Sequence, residues 1–169
     1  MNLIRRNRTV PFAVIAALVF VTIASAQGNQ HQQSLADNER TIQGVWRTVV
    51  TPRNCQTGDA ILTLAGLFTF NQGGTMSEYG IGPGSSPALR SPGNGVWQRE
   101  HGWQDYSFAF TYYRYNASGV LLGSQRVTAA LELGASGDEF ASRSVIEILD
   151  VTDSVIGTGC ATAVGTRFE

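Results

Sequence analysis

The side chains able to do acid–base, nucleophilic or metal chemistry are few and scattered along this 169-residue chain. There are two histidines. His31 lies in a polar, glutamine-rich stretch and reads as a solvated residue. His101 precedes Gly102-Trp103 and reads as a turn residue rather than a general base. Nothing around either one specifies a haem ligand, and no cofactor is implied. Serines are plentiful, but no G-x-S-x-G nucleophile elbow occurs. The run Gly80-Ile81-Gly82-Pro83-Gly84 lacks the lysine and the following helix of a phosphate loop. Cys55 and Cys160 have no Cys or His at ligand spacing, so no metal site is expected. Asp138-Glu139 sit in a turn and read as solvated surface. What remains is Glu78, Glu100, Glu132 and Glu147 on strand-like segments. A carboxyl turned into an apolar interior has its pKa raised by burial and becomes an acid–base candidate. Glu78 and Glu147 come nearest to one end of the fold, and they are the catalytic candidates.

Charge narrows the partners. All 12 basic residues are arginine, and they stand against 13 acids for a net charge of −1. That balance excludes an electrostatic nucleic-acid binder, and the length excludes a multidomain enzyme. Arg5, Arg6 and Arg8 precede the apolar run 11–23, and Ala24-Ser25-Ala26 follows. This order of charge, short apolar core and small-residue site reads as a secretory signal peptide cleaved near Ala26. The apolar run falls short of the roughly 20 residues a bilayer-spanning helix needs. The expectation is export, to the periplasm or outside the cell, with no stable membrane insertion after cleavage. Residues 27–40 are polar, without period, and read as a tether; the folded domain is expected over 41–169. Export also places Cys55 and Cys160 where a disulfide persists. Closing so long a loop is worth about 4 kcal/mol in the chain-entropy picture.

From residue 43 onward no stretch holds a 3.6-residue apolar period. Short β-rich runs separated by turn residues take its place. They fall at 44–51, 60–70, 75–79, 96–100, 105–115, 120–133, 139–149 and 155–168. Strict alternation is clearest at Tyr106, Phe108, Phe110 and Tyr112, and again at Val127, Ala129, Leu131 and Leu133 against Arg126, Thr128 and Glu132. Eight sequential strands with mostly tight turns predict antiparallel up-and-down pairing. Two arrangements protect the edges, a closed eight-stranded β-barrel or a two-sheet sandwich; a sandwich needs crossovers that only the loop 80–95 is long enough to make, so the barrel is expected. In such a barrel the odd-numbered connections share one end. The longer loops, 52–59 and 80–95, are the first and third, and Cys55 and the start of the eighth strand lie at that same end. Strands one and eight are neighbours once the barrel closes, so the topology permits the Cys55–Cys160 disulfide.

Gly44-Val45-Trp46 opens the first strand and Arg167 stands at the far end of the eighth. This pattern resembles the lipocalins and the wider calycin superfamily, in which an arginine of the last strand packs over the tryptophan of a G-x-W. The resemblance places the chain among lipocalin-like bacterial secreted proteins. It implies Trp46 and Arg167 as structural partners at the end away from the disulfide. It also implies a small hydrophobic molecule as partner, held in the lumen and admitted from the end with the longer loops. Residues expected near that mouth are Val50, Leu64, Tyr79, Trp97, Phe110, Tyr112 and Arg114, with loop 80–90 as a candidate lid. Two other uses of a small exported barrel stay open. One is an enzyme of the cyclase or isomerase kind, similar to the allene oxide cyclases, which requires a lumen-facing Glu78, Glu147 or Arg114. The other is a protein-binding module of the protease-inhibitor kind, working through the 27–38 arm.

Overall fold

The computed structural model describes residues 40–168. The signal-peptide reading, the tether with its His31, and Glu169 lie outside those residues. Eight strands follow one another in chain order: β1 (Gly44–Arg53), β2 (Leu64–Phe70), β3 (Thr75–Ile81), β4 (Gly93–Arg99), β5 (Asp105–Tyr115), β6 (Leu121–Leu133), β7 (Glu139–Leu149) and β8 (Val155–Arg167). Each pairs antiparallel with its neighbours, and β8 pairs with β1 to close the barrel. Closure leaves none of these strand edges unpaired, which is what eight strands joined by seven successive hairpins require where the described residues hold no α-helix to cover an edge.

Turn chemistry sets the strand ends. Asn116 accepts hydrogen bonds through Oδ1 from the amides of Ser118 and Val120, each at 2.9 Å, and so folds the β5–β6 hairpin. Asp150 does the same for β7–β8, accepting from Thr152 at 2.8 Å and Ser154 at 3.1 Å. These short side chains satisfy turn amides that the ladder leaves free. Two boundaries differ from the sequence expectation by more than two residues. The second strand begins at Leu64 rather than 60, because the regular ladder with β1 stops at the Val50–Leu64 pair and 61–63 interrupt it before Ala60 bridges Arg53. The fourth begins at Gly93 rather than 96, since Gly93 and Asn94 already pair with Glu78 and Ser77 of β3. The loop between β3 and β4 is therefore 82–92, with a 3-10 turn at Pro87–Leu89 capped by Ser86.

Parity of the connections divides the barrel into two ends. Loops 54–63 and 82–92 and the hairpins at Asn116 and Asp150 share one end. Cys55 and Cys160 meet there as a disulfide, with Cα atoms 5.3 Å apart, stapling the β1–β2 loop to β8. Arg53 secures the same loop, donating from Nε to Thr162 at 2.9 Å and from Nη1 to the Gly58 carbonyl at 2.9 Å.

The opposite end is filled. Trp46, Phe70, Tyr106, Leu133 and Ile42 are all within 2% of complete burial there. Trp46 packs edge-on against Phe140 with centroids 5.0 Å apart, and Phe70 makes the same kind of contact with Trp97, Phe108 and Phe140. Edge-to-face rings at these spacings stabilise beyond their buried area. Arg167 closes the base: its guanidinium carbon stands 4.3 Å from the Trp46 ring centroid. The same group donates to the carbonyls of Gln43 at 2.7 Å, Thr41 at 2.8 Å and Gly137 at 2.7 Å. Trp46 in turn donates its indole N–H to the Ile42 carbonyl at 2.8 Å. The Trp46–Arg167 pairing expected from the sequence thus holds the lead-in segment, the first strand, the last strand and the β6–β7 turn together.

Candidate functional site

Above the aromatic floor the barrel stays open, and the side chains on facing strands explain why. The inward row of β5 is bulky throughout, from Tyr106 and Phe108 to Phe110 and Tyr112. The facing inward positions of β7 and β8 above Phe140 are mostly small, Ser142 and Ser144 on one strand and Ala163, Ala161, Gly159 and Gly157 on the other, with Ile146 the bulky exception. Small side chains opposite aromatic ones leave a chamber of about 90 Å³, walled by Val50, Phe108, Phe110, Tyr112, Val127, Ile146 and these alanines and serines. Gln125, Ser142 and Ser144 give that wall a few polar tips. A wider vestibule of about 320 Å³ lies at the mouth, bounded by Leu64, Ile81, Pro87, Leu89, Tyr115, Leu122 and Arg114. Leu64, Gly80, Arg90 and Tyr112 line both spaces and so form the neck between them.

The neck carries the charge. Glu78 points inward from β3 and is 4% exposed; Arg90, at the end of the 3-10 turn, is 18% exposed and reaches down to it. The Arg90 guanidinium pairs with both carboxylate oxygens, Nη2 with Oε2 and Nη1 with Oε1 at 3.3 Å. It also donates to the Gly80 carbonyl at 3.3 Å and stacks over Tyr112, 3.6 Å from the ring centroid. Room for this pair depends on two glycines. A Cβ at Gly80 would stand 2.7 Å from Glu78 Oε1, and one at Gly93 would stand 2.7 Å from Oε2. Burial pushes the Glu78 carboxyl above the ordinary carboxylate range, against the lowering pull of Arg90's charge and hydrogen bond. Burial likewise raises the Tyr112 phenol, so at neutral pH it stays protonated and able to donate.

The 82–92 loop lies across the mouth and is fastened to β5 rather than to β4. Arg90 bridges Arg114, and Ser91 donates its amide to the Tyr113 carbonyl at 2.9 Å. Tyr113 donates its own amide back to Ser91 Oγ at 3.0 Å. The lid expected over 80–90 is therefore a strap, held at one end by these backbone bonds and from below by the Arg90–Glu78 pair.

Of the residues expected at the mouth, Val50, Leu64, Phe110, Tyr112 and Arg114 line one or both spaces. Three expectations need correction. Tyr79 is exposed on the outer face, because it neighbours inward-facing Glu78 and a strand sends successive side chains to opposite faces. Trp97 belongs to the filled end: β4 starts at Gly93 at the mouth and has descended to the floor by Trp97, whose indole N–H donates to the Asn71 carbonyl at 2.9 Å. Glu147 faces outward and forms a surface ion pair with Arg126 at 3.1 Å, so it is no lumen carboxylate. Glu78 is the acid–base candidate that does face the lumen. The residue that sequence reading passed over is Arg90, seen only as part of a loop. Its signal was available: it is the single charged residue between Gly80 and Gly95. Among the described residues no group of three or more His, Cys, Asp or Glu is placed to hold a metal ion. No protein-family model matches the chain, and no curated protein matches it.

Proposed function

We propose that the barrel binds a small, largely apolar molecule in its loop-end half and acts as an exported carrier or sequestering protein, in the manner of the lipocalins it resembles. One observation carries this reading: at one end aromatic rings from facing strands pack on one another, whereas toward the other the aromatic rings of β5 face alanine and serine and leave space between. A barrel serving only as a scaffold gains by filling its lumen throughout, since each buried void forfeits contacts. Eight strands give just enough width for one small ligand. Chamber and vestibule together reach the lower part of the size range usual for ligand pockets, with apolar walls and few polar groups.

Native mass spectrometry of the disulfide-bonded protein, prepared without detergent from an exporting host, tests the reading directly. The expected result is a discrete added mass of a few hundred daltons that solvent extraction removes. A clean apo mass together with no uptake of lipophilic probes overturns it.

Glu78 favours a second reading, catalysis on an apolar substrate of the cyclase or isomerase kind, because it is a carboxylate at the chamber wall with its pKa raised by burial. Both its oxygens are already engaged by Arg90, which fixes the carboxylate in an ion pair rather than holding it free toward a substrate and ranks this reading second. Release of a chemically altered ligand by the wild-type protein but not by Glu78→Gln would reverse that order.

A further inference from the structure

The vestibule has a sign as well as a shape. Two guanidinium groups, Arg90 and Arg114, line it, and among the described residues no carboxylate does. Glu78 lies one step deeper, enclosed by Gly80, Gly93 and Arg90, and its charge is consumed by Arg90. Arg114 stands differently. Alternation along β5 turns it inward at the top of the Tyr106–Phe108–Phe110–Tyr112 row. Its guanidinium makes one long hydrogen bond, from Nη2 to the Leu149 carbonyl at 3.3 Å, while Nε is buried without a partner. A guanidinium has five donors in a fork that matches a carboxylate or phosphate, so most of its capacity is unused. A half-buried cation in that condition is costly unless something supplies the counter-charge.

From this we infer that the ligand is an amphipathic anion whose acid group seats on Arg114 in the vestibule, its apolar body lying along Leu64, Leu89 and Leu122 toward the chamber. The inference rests on the lumen-binding reading and sharpens it to a ligand class. Tyr112, at the neck beside both arginines, supplies a neutral phenol that can donate a further hydrogen bond to the same group. A neutral ligand of the same shape leaves Arg114 unpaired. A cationic one meets uncompensated positive charge at the mouth.

Isothermal titration of the full, disulfide-bonded chain with decanoic acid, decanol and decylamine reads this out. At neutral pH and low salt, decanoate is expected to bind about tenfold or more tightly than decanol, the size of a charge-assisted hydrogen bond. Decylammonium is expected to bind weakest. In Arg114→Gln the acid and alcohol affinities should converge. Should that variant not fold, the wild-type protein still decides: acidification below the carboxyl pKa of decanoic acid should erase the preference. Equal affinity for acid and alcohol, tighter binding of the amine, or a preference that survives protonation overturns the anion inference and leaves the lumen-binding reading standing. Binding of none of the three overturns both.

Discussion

The two ends of this barrel are built on the same strands with the same alternation, yet one is filled by packed side chains while the other holds a charged pair and open space. β5 shows the contrast within one element. Phe108 meets Phe68 and Phe70 across the lumen, whereas Tyr112 has Ala161 and Ser144 among the residues facing it across the chamber. Whether a small barrel is plugged is therefore not a property of the fold. It is decided position by position, by the volume on the strand opposite. At the base an arginine lies over Trp46 and spends its donors on three carbonyls of the chain, closing it. At the mouth Arg90 latches a loop and Arg114 keeps most of its donors free.

The sharpest way to test that division is to damage the filled end. Trp46→Ala removes a fully buried indole, its ring contact with Phe140 and the surface under Arg167, and should cost about 4 kcal/mol in denaturant unfolding, as large-to-small changes in packed cores do. A loss under about 1 kcal/mol would mean that the base is not a tightly packed region. Next comes the latch. Arg90→Ala leaves a carboxylate that is 4% exposed without its counter-charge and should cost about 3 kcal/mol at neutral pH. That deficit should shrink in acid, because protonation of Glu78 removes the uncompensated charge. A deficit independent of pH would show that Arg90 acts by packing on Tyr112 alone.

The complementary experiment fills the open end. Ala163→Leu adds volume where the chamber already has it, so stability should stay within about 1 kcal/mol of wild type. Ligand uptake, followed by the same titration or by native mass spectrometry, should fall about tenfold or more, because the added methylenes occupy the ligand's space. A Leu at 163 that destabilises as severely as Trp46→Ala would erase the difference between the two ends.

Much of this was legible in the chain. β5 and β7 have the bounds that alternation predicts, and the disulfide joins the two loop-end segments that strand parity brings together. Such features are local or topological: period, turn residues and the count of connections decide them. The site was less legible because it depends on phase. Tyr79 and Glu78 are adjacent, so only one can face the lumen, and composition favours the aromatic one. Structure chose the acid, because Met76 two residues earlier must join the core and Arg90 waits opposite. Trp97 shows a second kind of difficulty. Placing a residue at mouth or base requires the true start of its strand, and Gly93-Asn94-Gly95 carries no β signal of its own. Arg90 could not be weighted without knowing that its loop folds back over β5.

The smallest predicted effect concerns the sign of the buried charge. With its carboxyl pKa raised above the ordinary 4.5, the folded protein holds a proton that the unfolded chain has already released. The stability contributed by this group is therefore full below that ordinary value and is lost as pH rises through the folded pKa. Glu78→Gln cannot titrate and imitates the protonated form. The stability of the variant relative to wild type should move in the variant's favour as pH rises from acid to neutral, and paired thermal melts across that range read the difference. The trend follows from geometry: Arg90 reaches both carboxylate oxygens but does not fully offset the removal of Glu78 from water. A relative stability that moves the other way would make the pair a net stabiliser. It would then be part of what holds the barrel together, as the Trp46–Arg167 clasp is, rather than a latch maintained at some cost for the space beneath it.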